Sequence, residues 1–262
     1  MRKRVSAVII TKNEASRIAE CLASVAFCDE VVVVDSGSSD GTQGICVARG
    51  ARVVEHGWQG FGLQKRFAVS QAAYDWVLCI DADEVVTDPL RRSIEHALEH
   101  GPARAYSLAR RNRFMGRWLR FGEGYPDLCL RLFDRRVAQW TDDDVHERVE
   151  TTVDVAVLKG DLLHDSASSM HQYLVKQNQY TTLQAESMIA AGKRVGPLKV
   201  VLSPLLRFFK FYVVRQGFRD GLPGLVHISI GCFNSFCKYA KVAGSGAAIP
   251  EGFSGQASVA GQ

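Results

Sequence analysis

The 262-residue sequence lacks several of the patterns from which function is most often inferred. Its seven cysteines are scattered and include no C-x-x-C pair, which argues against a disulfide framework or a cysteine zinc site. No G-x-x-x-x-G-K-[S/T] motif is present, so a P-loop does not hold phosphates. The net charge is only +4, and no nucleic-acid partner is expected.

Long uncharged apolar runs are also missing. The sequence starts with the basic stretch MRKRVSAVII, whose apolar part breaks at Thr11, too early for a signal peptide. Residues 221–237 carry no formal charge, but Pro223, Gly224 and Asn234 argue against a membrane span. With cysteines typical of a reducing compartment, these features predict a cytoplasmic protein.

The first hundred residues alternate between apolar runs and helical segments. The strand-like runs are VSAVII (5–10), EVVVVD (30–35), ARVVE (51–55) and WVLCID (76–81). The helical segments are 15–26, 40–49, 63–73 and 89–100. Continuous apolar strands separated by helices predict an α/β fold, with a parallel sheet covered by helices on both faces. Ligands of such sheets collect beyond the carboxyl ends of the strands, where TKNE, DSGSSD and DADE fall.

The pattern changes after residue 101. The segments RAYSLARRNRF, LCLRLFDRR and TTVDVAVL alternate like strands and predict a mixed extension of the sheet. Residues 168–192 predict a long helix that begins at a serine cap and ends at Gly192. These features predict a catalytic domain over 1–165, a helical region over 166–243 and a disordered Gly/Ser/Ala-rich tail over 244–262.

An acidic turn follows the fourth strand. The run VLCIDADEVV (77–86) carries Asp81, Asp83 and Glu84 directly after four apolar residues. Taken alone, such acids are most often a solvated strand end. Asp35 at the end of another strand favours a cation instead, because Mg²⁺ and Mn²⁺ bind one or two carboxylates together with substrate phosphates. Such a cation would neutralise a diphosphate and make it a better leaving group.

Three segments in this order resemble the inverting glycosyltransferases of family 2, which have the GT-A nucleotide-sugar fold. They are VSAVIITKNEASRIAECLASV, EVVVVDSGSSDGT and CIDADE, and the resemblance covers roughly residues 4–165. It implies a mixed sheet with a nucleotide-sugar half over 1–100 and an acceptor half over 101–165. LRLFDRR, DVHERV, LLH and KQNQYTTLQA further resemble bacterial β-1,4-glucosyltransferases of the lipopolysaccharide inner core.

The resemblance implies roles for single residues. Those implied to contact the uridine of a UDP-sugar are Thr11, Asn13, Glu14 and Asp35. Lys65 would lie near the diphosphate, although it could equally be an exposed helix charge. Asp81 would face the ribose or the metal, and Asp83 would bind the metal directly. His164 would complete the metal shell or contact phosphate, unless it is a structural histidine.

Inverting transfer also needs a carboxylate that accepts the proton of the acceptor hydroxyl. The stretch WTDDDVHERVE (140–150) corresponds to the region of the catalytic acid, with HE in place of the usual ED. We expect Glu147 to be the base, with His146 beside it and Asp144 as the alternative. An anionic acceptor could be bound by Arg131 and by the arginines of ARRNRF, unless they form a solvated strand edge.

The last third of the chain interleaves aromatic residues with cations. In PLLRFFKFYVVRQGFRDG (204–221), rings and cations alternate, as in segments that lie in a membrane interface. The alternative is a core-covering helix with basic edges. The lipid-linked acceptor of the resembled family favours the membrane, and predicts a peripheral protein on the cytoplasmic face of the inner membrane.

The leading hypothesis is therefore metal-assisted transfer of a hexose, glucose, from a UDP-sugar to a lipopolysaccharide inner-core heptose. Another lipid-linked or polysaccharide acceptor is an alternative. Nucleotidyl transfer is disfavoured because TKNE lacks the glycines of a triphosphate loop. A non-enzymatic, membrane-docked module that binds nucleotide sugars is disfavoured by the intact Asp81–Asp83 pair and the candidate base.

Overall fold

A computed structural model describes residues 2–143, 147–165 and 169–245. These residues divide into two compact units. Those of the first lie within 1–120 and 124–166, and those of the second within 121–123 and 167–262. Two of the predicted catalytic residues, Asp144 and His146, fall outside the described residues, as do residues 246–262 of the predicted tail.

The first unit alternates strands and helices, as its sequence predicts. Its strands are β1 (Val5–Thr11), β2 (Glu30–Asp35), β3 (Arg52–Glu55), β4 (Trp76–Asp81), β5 (Glu84–Val86), β6 (Ala105–Phe114), β7 (Arg117–Trp118), β8 (Asp127–Asp134), β9 (Ala138–Trp140), β10 (Val149–Thr151) and β11 (Val155–His164). Its helices are α1 (Ile18–Ser24), α2 (Thr42–Ala48), α3 (Phe61–Ser70) and α4 (Asp88–His100).

The main sheet is mixed, with strand order β3-β2-β1-β4-β8-β6-β11-β5. The first four strands in this order are parallel to one another, and β8 runs antiparallel to both of its neighbours. Strand β1 is buried along its whole length, as an apolar run without alternation requires. The sequence did not predict β5, which follows the acidic turn and pairs antiparallel with β11.

Helices cover both faces of this sheet, which confirms the predicted α/β architecture. On one face, Ile18 of α1 and Ile94 of α4 pack with Leu78 in one core cluster. On the other face, Ala68 of α3 packs with Val77 and with residues of β9. Because β4 sends alternate side chains into the two clusters, its apolar run is buried on both sides.

The second unit is helical. Its elements are α5 (Met170–Ala190), α6 (Pro197–Phe208), a π-helical segment (Phe209–Val214), a 3₁₀ turn (Gly217–Asp220) and α7 (Gly221–Gly244). Helix α5 begins with a capping box, in which the Ser169 side chain and the Gln172 side chain each bond to the backbone of the other residue. The predicted serine cap is therefore confirmed.

Most of the residues buried in these helices are small or polar. Helix α7 packs against α5 and α6. The buried positions of α5 and α7 are Thr181, Ala185, Gly224, Ile228, Gly231, Ser235 and Val242. A Cβ at Gly231 would meet the carboxylate of Glu123, which pairs with Arg207, so a larger residue there would displace that side chain. Over residues 2–143, 147–165 and 169–245, no helix has the length and hydropathy to cross a membrane.

Candidate active site

Three predicted residues end neighbouring strands at one rim of the sheet. In the register of β1 with β2, Thr11 pairs with Asp35, and in that of β1 with β4, Ile10 pairs with Asp81. The carboxyl ends of β2, β1 and β4 therefore lie side by side, because all three strands are parallel. Thr11 and Asp35 are buried, whereas the Asp81 side chain is about one-quarter exposed.

Asp35 organises the turn that follows its own strand. Its Oδ1 accepts hydrogen bonds from the backbone N–H of Gly37 and Ser38 and from Gln43 Nε2, at 2.7 to 3.0 Å, and its Oδ2 accepts from Ser38 Oγ. Burial alone would raise the pKa of Asp35, but these hydrogen bonds outweigh it and lower the pKa. A contact with uridine would require one of these bonds to be exchanged, and it stays a prediction.

The TKNE turn is tied to the same region by its backbone. Asn13, in the left-handed conformation, donates its N–H to Ser38 Oγ at 2.8 Å and accepts the Ser39 N–H at Oδ1. Glu14 donates its N–H to Thr42 Oγ1 and pairs with Arg17. Burial raises the pKa of Glu14 despite that pair.

The hydroxyl group of Thr11 is the remaining polar group of interest in this turn. Thr11 Oγ1 is buried and has no hydrogen-bond partner among the described residues. A buried hydroxyl without a partner is uncommon in folded proteins. Thr11, Asn13 and Glu14 thus lie at one edge of the rim, although their contact with uridine stays a prediction.

Asp81 is held between two cations. Its Oδ1 lies 3.3 Å from Lys65 Nζ, and its Oδ2 accepts from Arg131 Nη2 at 3.0 Å. Arg131 also contacts Glu84, which is fully buried and accepts the Asp81 backbone N–H at 2.9 Å. Burial would raise the pKa of Asp81, but Arg131 and Lys65 outweigh it and hold the pKa below its ordinary value. Asp81 therefore remains a carboxylate at neutral pH.

Lys65 connects this network to the predicted base. Its Nζ donates to Glu147 Oε1 at 2.9 Å and lies 4.7 Å from the centre of the Trp140 ring. Lys65 is only 6% exposed, so the alternative of an exposed helix charge is wrong. Although 82 positions separate them in sequence, Lys65 and Glu147 meet because α3 packs beside the β9–β10 hairpin.

Arg131, predicted to bind an anionic acceptor, lies inside the first unit. It is 3% exposed, and its guanidinium group lies over Trp140 and between Asp81 and Glu84. The alternative of a solvated strand edge is therefore wrong for this residue. Since two carboxylates of the protein contact its guanidinium group, Arg131 supports Asp81, and its role toward an acceptor stays a prediction.

The arginines of ARRNRF are also paired within the first unit. Arg110 bonds Asp127, Arg111 donates to the backbone of Trp118 and Leu119, and Arg113 pairs with Asp165. The structure thus gives each of these side chains an internal partner. A role in binding an anionic acceptor stays a prediction.

Asp83 and His164 form a pair that suits a divalent cation. His164 Nε2 lies 3.3 Å from Asp83 Oδ2, while His164 Nδ1 lies 2.6 Å from Asn112 Oδ1. In the tautomer with its proton on Nδ1, the ring donates to the Asn112 oxygen and turns the Nε2 lone pair toward the carboxylate. Two adjacent acceptors, with an outer hydrogen bond fixing the imidazole, fit a metal site.

The predicted three-residue metal set of Asp81, Asp83 and His164 is not assembled. No cluster of three or more His, Cys, Asp or Glu side chains suited to a metal occurs within the described part of the chain. The physical reason is that both Asp81 oxygens face cations of the protein. Two protein ligands remain compatible with Mg²⁺ or Mn²⁺ when substrate phosphates complete the shell.

Several contributors were not identified from the sequence. Trp140 lies under both Lys65 and Arg131, Asn112 orients His164, and Gly62 lets α3 approach the backbone of residues 141–143. Only Trp140 had a visible signal, since it directly precedes the acidic run. The side chains of Asp142 and Asp143 are more than half exposed, in accord with a solvated loop.

Known proteins resemble this chain in sequence and fold. The family model described as Glycosyl transferase family 2 matches residues 6–148. An uncharacterized glycosyltransferase of Rickettsia prowazekii (strain Madrid E) is 33% identical, over 92% of this chain and 87% of its own. The lipopolysaccharide core biosynthesis glycosyltransferase LpsC of Rhizobium meliloti (strain 1021) is 30% identical, over 91% of each chain. S. aureus TarS 1–349, solved with UDP-GlcNAc, is 15% identical, covers 92% of this chain and 91% of its own, and has a TM-score of 0.50.

The mixed sheet with helices on both faces is a GT-A fold, the class of nucleotide-sugar transferases. The family match covers more than half of the chain, and the relatives align over almost their whole length. The chain therefore belongs to glycosyl transferase family 2 and is a glycosyltransferase. The predicted family, fold class and enzyme class are confirmed.

Proposed function

We propose that this enzyme transfers the hexose glucose from a UDP-sugar to a heptose of the lipopolysaccharide inner core, with inversion at the anomeric carbon of the glucose. The family match supports the reaction class, and the similarity to LpsC, named for lipopolysaccharide core biosynthesis, supports the acceptor class. The donor class is supported by the fold shared with TarS, whose structure contains UDP-GlcNAc.

The transfer is a single displacement. The acceptor hydroxyl oxygen bonds to the anomeric carbon of the sugar as the bond from that carbon to the diphosphate breaks, and UDP leaves with the bonding electrons. Glu147 accepts the hydroxyl proton. Uridine binds along Thr11, Asn13, Glu14 and Asp35, and Asp81 faces the sugar-nucleotide.

Asp83 and His164 are the residues that would hold Mg²⁺ or Mn²⁺. Their geometry supports this assignment, because a carboxylate oxygen and an imidazole nitrogen lie 3.3 Å apart. When bound, the cation neutralises negative charge on the diphosphate leaving group. Arg17 Nη1 lies 3.9 Å from Asp83 and supplies a further positive charge beside the pair.

One observation carries this proposal: Lys65 Nζ contacts the donor-rim carboxylate of Asp81 and the candidate base Glu147 at the same time. Donor and acceptor chemistry therefore share one location. The test is UDP release from UDP-glucose with Mn²⁺, with and without lipopolysaccharide truncated after its heptose. We expect release to depend on the heptose acceptor, and on the cation.

Glu147→Gln keeps the shape of the side chain but accepts no proton, so we expect turnover to fall about 10²- to 10⁴-fold. Asp142→Asn, in the same loop but exposed, is the matched control and should retain activity. Turnover unchanged in Glu147→Gln would contradict the role of this residue. Heptose-independent release would contradict the acceptor, and transfer from another nucleotide sugar would correct the donor.

The proposal includes a peripheral position on the cytoplasmic face of the inner membrane. We name as the α6 apolar surface the exposed side chains Leu198, Val201, Leu202, Leu205, Leu206, Phe209, Val213 and Val214. Most are spaced three or four residues apart, which places them along one stripe of a helix. The stripe starts six residues before the segment 204–221 from which membrane contact was predicted, because α6 begins at Pro197.

Cations accompany this surface, which favours an anionic membrane over an uncharged partner. Lys199, Lys210 and Arg215 lie on or next to the same helical segment. Each cation near an acidic leaflet adds about 1 kcal/mol of attraction. Co-sedimentation of the full chain with vesicles tests this: we expect binding to vesicles of anionic lipid that weakens with salt, and equal binding to neutral vesicles would contradict it.

A further inference from the structure

We infer that Lys65 is a positioning residue for the base: it fixes Glu147 beside the donor carboxylate Asp81 and does not bind the donor diphosphate. The inference rests on the proposed role of Glu147. It differs from the role that family resemblance implies for Lys65, which is a contact with the diphosphate.

The environment of the Lys65 ammonium group is already filled. Of its three N–H donors, one reaches Glu147 Oε1 at 2.9 Å and another faces Asp81 Oδ1 at 3.3 Å. The Trp140 ring lies 4.7 Å from Nζ and provides a cation–π contact. Lys65 is only 6% exposed, and moving Nζ out to a diphosphate in solution would lengthen its contacts with both carboxylates.

Trp140 fixes the direction in which Lys65 points. The ring is 4% exposed, and its Nε1–H donates to the Cys79 sulfur at 3.5 Å on β4. Arg131 lies 5.4 Å from the same ring and bonds the other Asp81 oxygen. The indole ring therefore supports both cations that hold Asp81. Trp140 fixes the ammonium end of the Lys65 side chain, and helix α3 fixes its backbone.

Helix α3 also supports the loop that carries Glu147. A Cβ at Gly62 would overlap the carbonyl oxygen of Thr141 and lie 2.8 Å from that of Asp143, so the helix touches the loop backbone directly. Thr141 and Arg148 close the loop through two hydrogen bonds, one at 2.8 Å between their backbones. Gly62 and Lys65, three residues apart, thus face the loop from the same side of the helix.

The contact with Lys65 positions the base Glu147, although Lys65 itself does not touch the substrate. Glu147 lies outside the strands, between β9 and β10, so no strand pairing fixes its position. Displacing a reacting group by about 1 Å can cost about 10²-fold in rate. The Lys65 contact selects one carboxylate position, adjacent to the donor rim, before the acceptor arrives.

The test separates turnover from donor affinity. With UDP-glucose, Mn²⁺ and heptose-terminated lipopolysaccharide, we expect Lys65→Met to lower kcat about 30- to 100-fold. The Kd for UDP, measured by calorimetry, should stay within about threefold, because the diphosphate does not depend on Nζ. Lys65→Arg, which can still reach both carboxylates, should recover at least about tenfold of the lost kcat.

The matched control is Arg66→Met. Arg66 follows Lys65 on α3 and pairs with Asp142 of the same hairpin loop, but that pair is exposed and lies outside the buried network. Exposed pairs contribute little, so kcat should stay within about twofold. A loss equal to that of Lys65→Met would show that any α3–loop ion pair matters, and would overturn the specific role of Lys65.

Two results would overturn the inference without touching the proposed function. One is a UDP Kd that weakens as much as kcat/KM falls, which would make Lys65 a diphosphate ligand. The other is unchanged kcat in Lys65→Met while Glu147→Gln is inactive. By contrast, an active Glu147→Gln enzyme would remove the proposed base itself.

If Lys65→Met does not fold, Gly62→Ala carries the test together with Lys65→Arg. The added methyl group must push the backbone of residues 141–143 away from α3. We then expect a lower kcat with the Kd for UDP unchanged, and unchanged kcat would overturn the inference.

Discussion

The two units of this glycosyltransferase place their large apolar side chains in opposite environments. In the first unit, Leu78 and Phe133 are completely buried in the sheet cores. In the second, Leu206 is 67% exposed and Phe209 is 59% exposed, while small residues lie between the helices. The first unit therefore packs large apolar side chains into its sheet cores, whereas the second leaves a row of them exposed on α6 and the segment after it.

Charged residues differ between the units in a related way. The first unit buries Glu84 and Arg131, which form one ion-paired network with the partly exposed Asp81 at the rim of the sheet. In the second, Lys241 bonds to hydroxyl and amide oxygens of α5, including Thr181 Oγ1 at 2.8 Å. The comparison predicts that removing buried charges lowers the stability of the first unit. For the second unit, it predicts effects from removing a helix cap and from changing the exposed apolar surface.

The largest effect is expected from Arg131→Met in the first unit. Removing one partner of a buried network leaves Asp81 and Glu84 without their shared cation, which costs about 3–5 kcal/mol of unfolding free energy. Urea unfolding measures this loss. Arg52→Met, which breaks an exposed pair with Glu30, is the control and should cost less than about 1 kcal/mol. Equal losses would show that the rim network carries no special stability.

Asp134→Asn should produce a smaller, pH-dependent loss. Arg104 and Arg136 each bond Asp134 at 2.7 Å. Burial would raise the pKa of Asp134, but the bonds from Arg136 and Arg104 outweigh it and lower the pKa. Since hydrogen bonds to charged groups contribute about 1.5–3 kcal/mol, we expect a loss of that order at pH 7.

The sign of the pH effect follows from the lowered pKa. The charged Asp134 stabilises the fold fully above the unfolded carboxyl pKa of about 3.9, and this stabilisation is lost as the pH falls through the folded value. The difference between wild type and Asp134→Asn should therefore shrink from pH 7 to pH 3. A difference that is independent of pH would mean that the loss is one of packing and not of charge.

The sequence predicted elements well where the signal was local, and poorly where it was not. Continuous apolar runs identified β1, β2 and β4, and the acids that end β2 and β4 identified the rim. The contact of Lys65 with Glu147, and that of Asp81 with Arg131, join residues 82 and 50 positions apart, and no spacing rule encodes them. Resemblance to the family implied roles for Lys65, Asp81 and Glu147, which stay predictions, but it implied none of these contacts.

Ser169→Ala tests the helical unit at the start of α5. The serine side chain accepts the Gln172 N–H at 3.2 Å, and losing such a cap costs about 1 kcal/mol. Amide hydrogen exchange should therefore accelerate in the first turns of α5. Ser187→Ala, at an exposed position within the same helix, is the control and should leave exchange unchanged. A slower exchange in Ser169→Ala would contradict the role of the capping box.

The smallest effect on stability is expected at the α6 apolar surface, the feature in which the two units differ most. Leu205 and Leu206 are 60% and 67% exposed, so replacing both with serine should change the unfolding free energy by less than about 0.5 kcal/mol per site. Val47→Ser, at a 63% exposed position of the first unit, is the control. If the surface meets lipid, the double variant should bind anionic vesicles at least about tenfold more weakly, because inserting a leucine contributes about 1.5–3 kcal/mol. Equal vesicle binding by the wild type, the double variant and Val47→Ser would mean that another surface meets the membrane. A large loss of stability in the double variant would mean that these leucines are already covered in the folded protein.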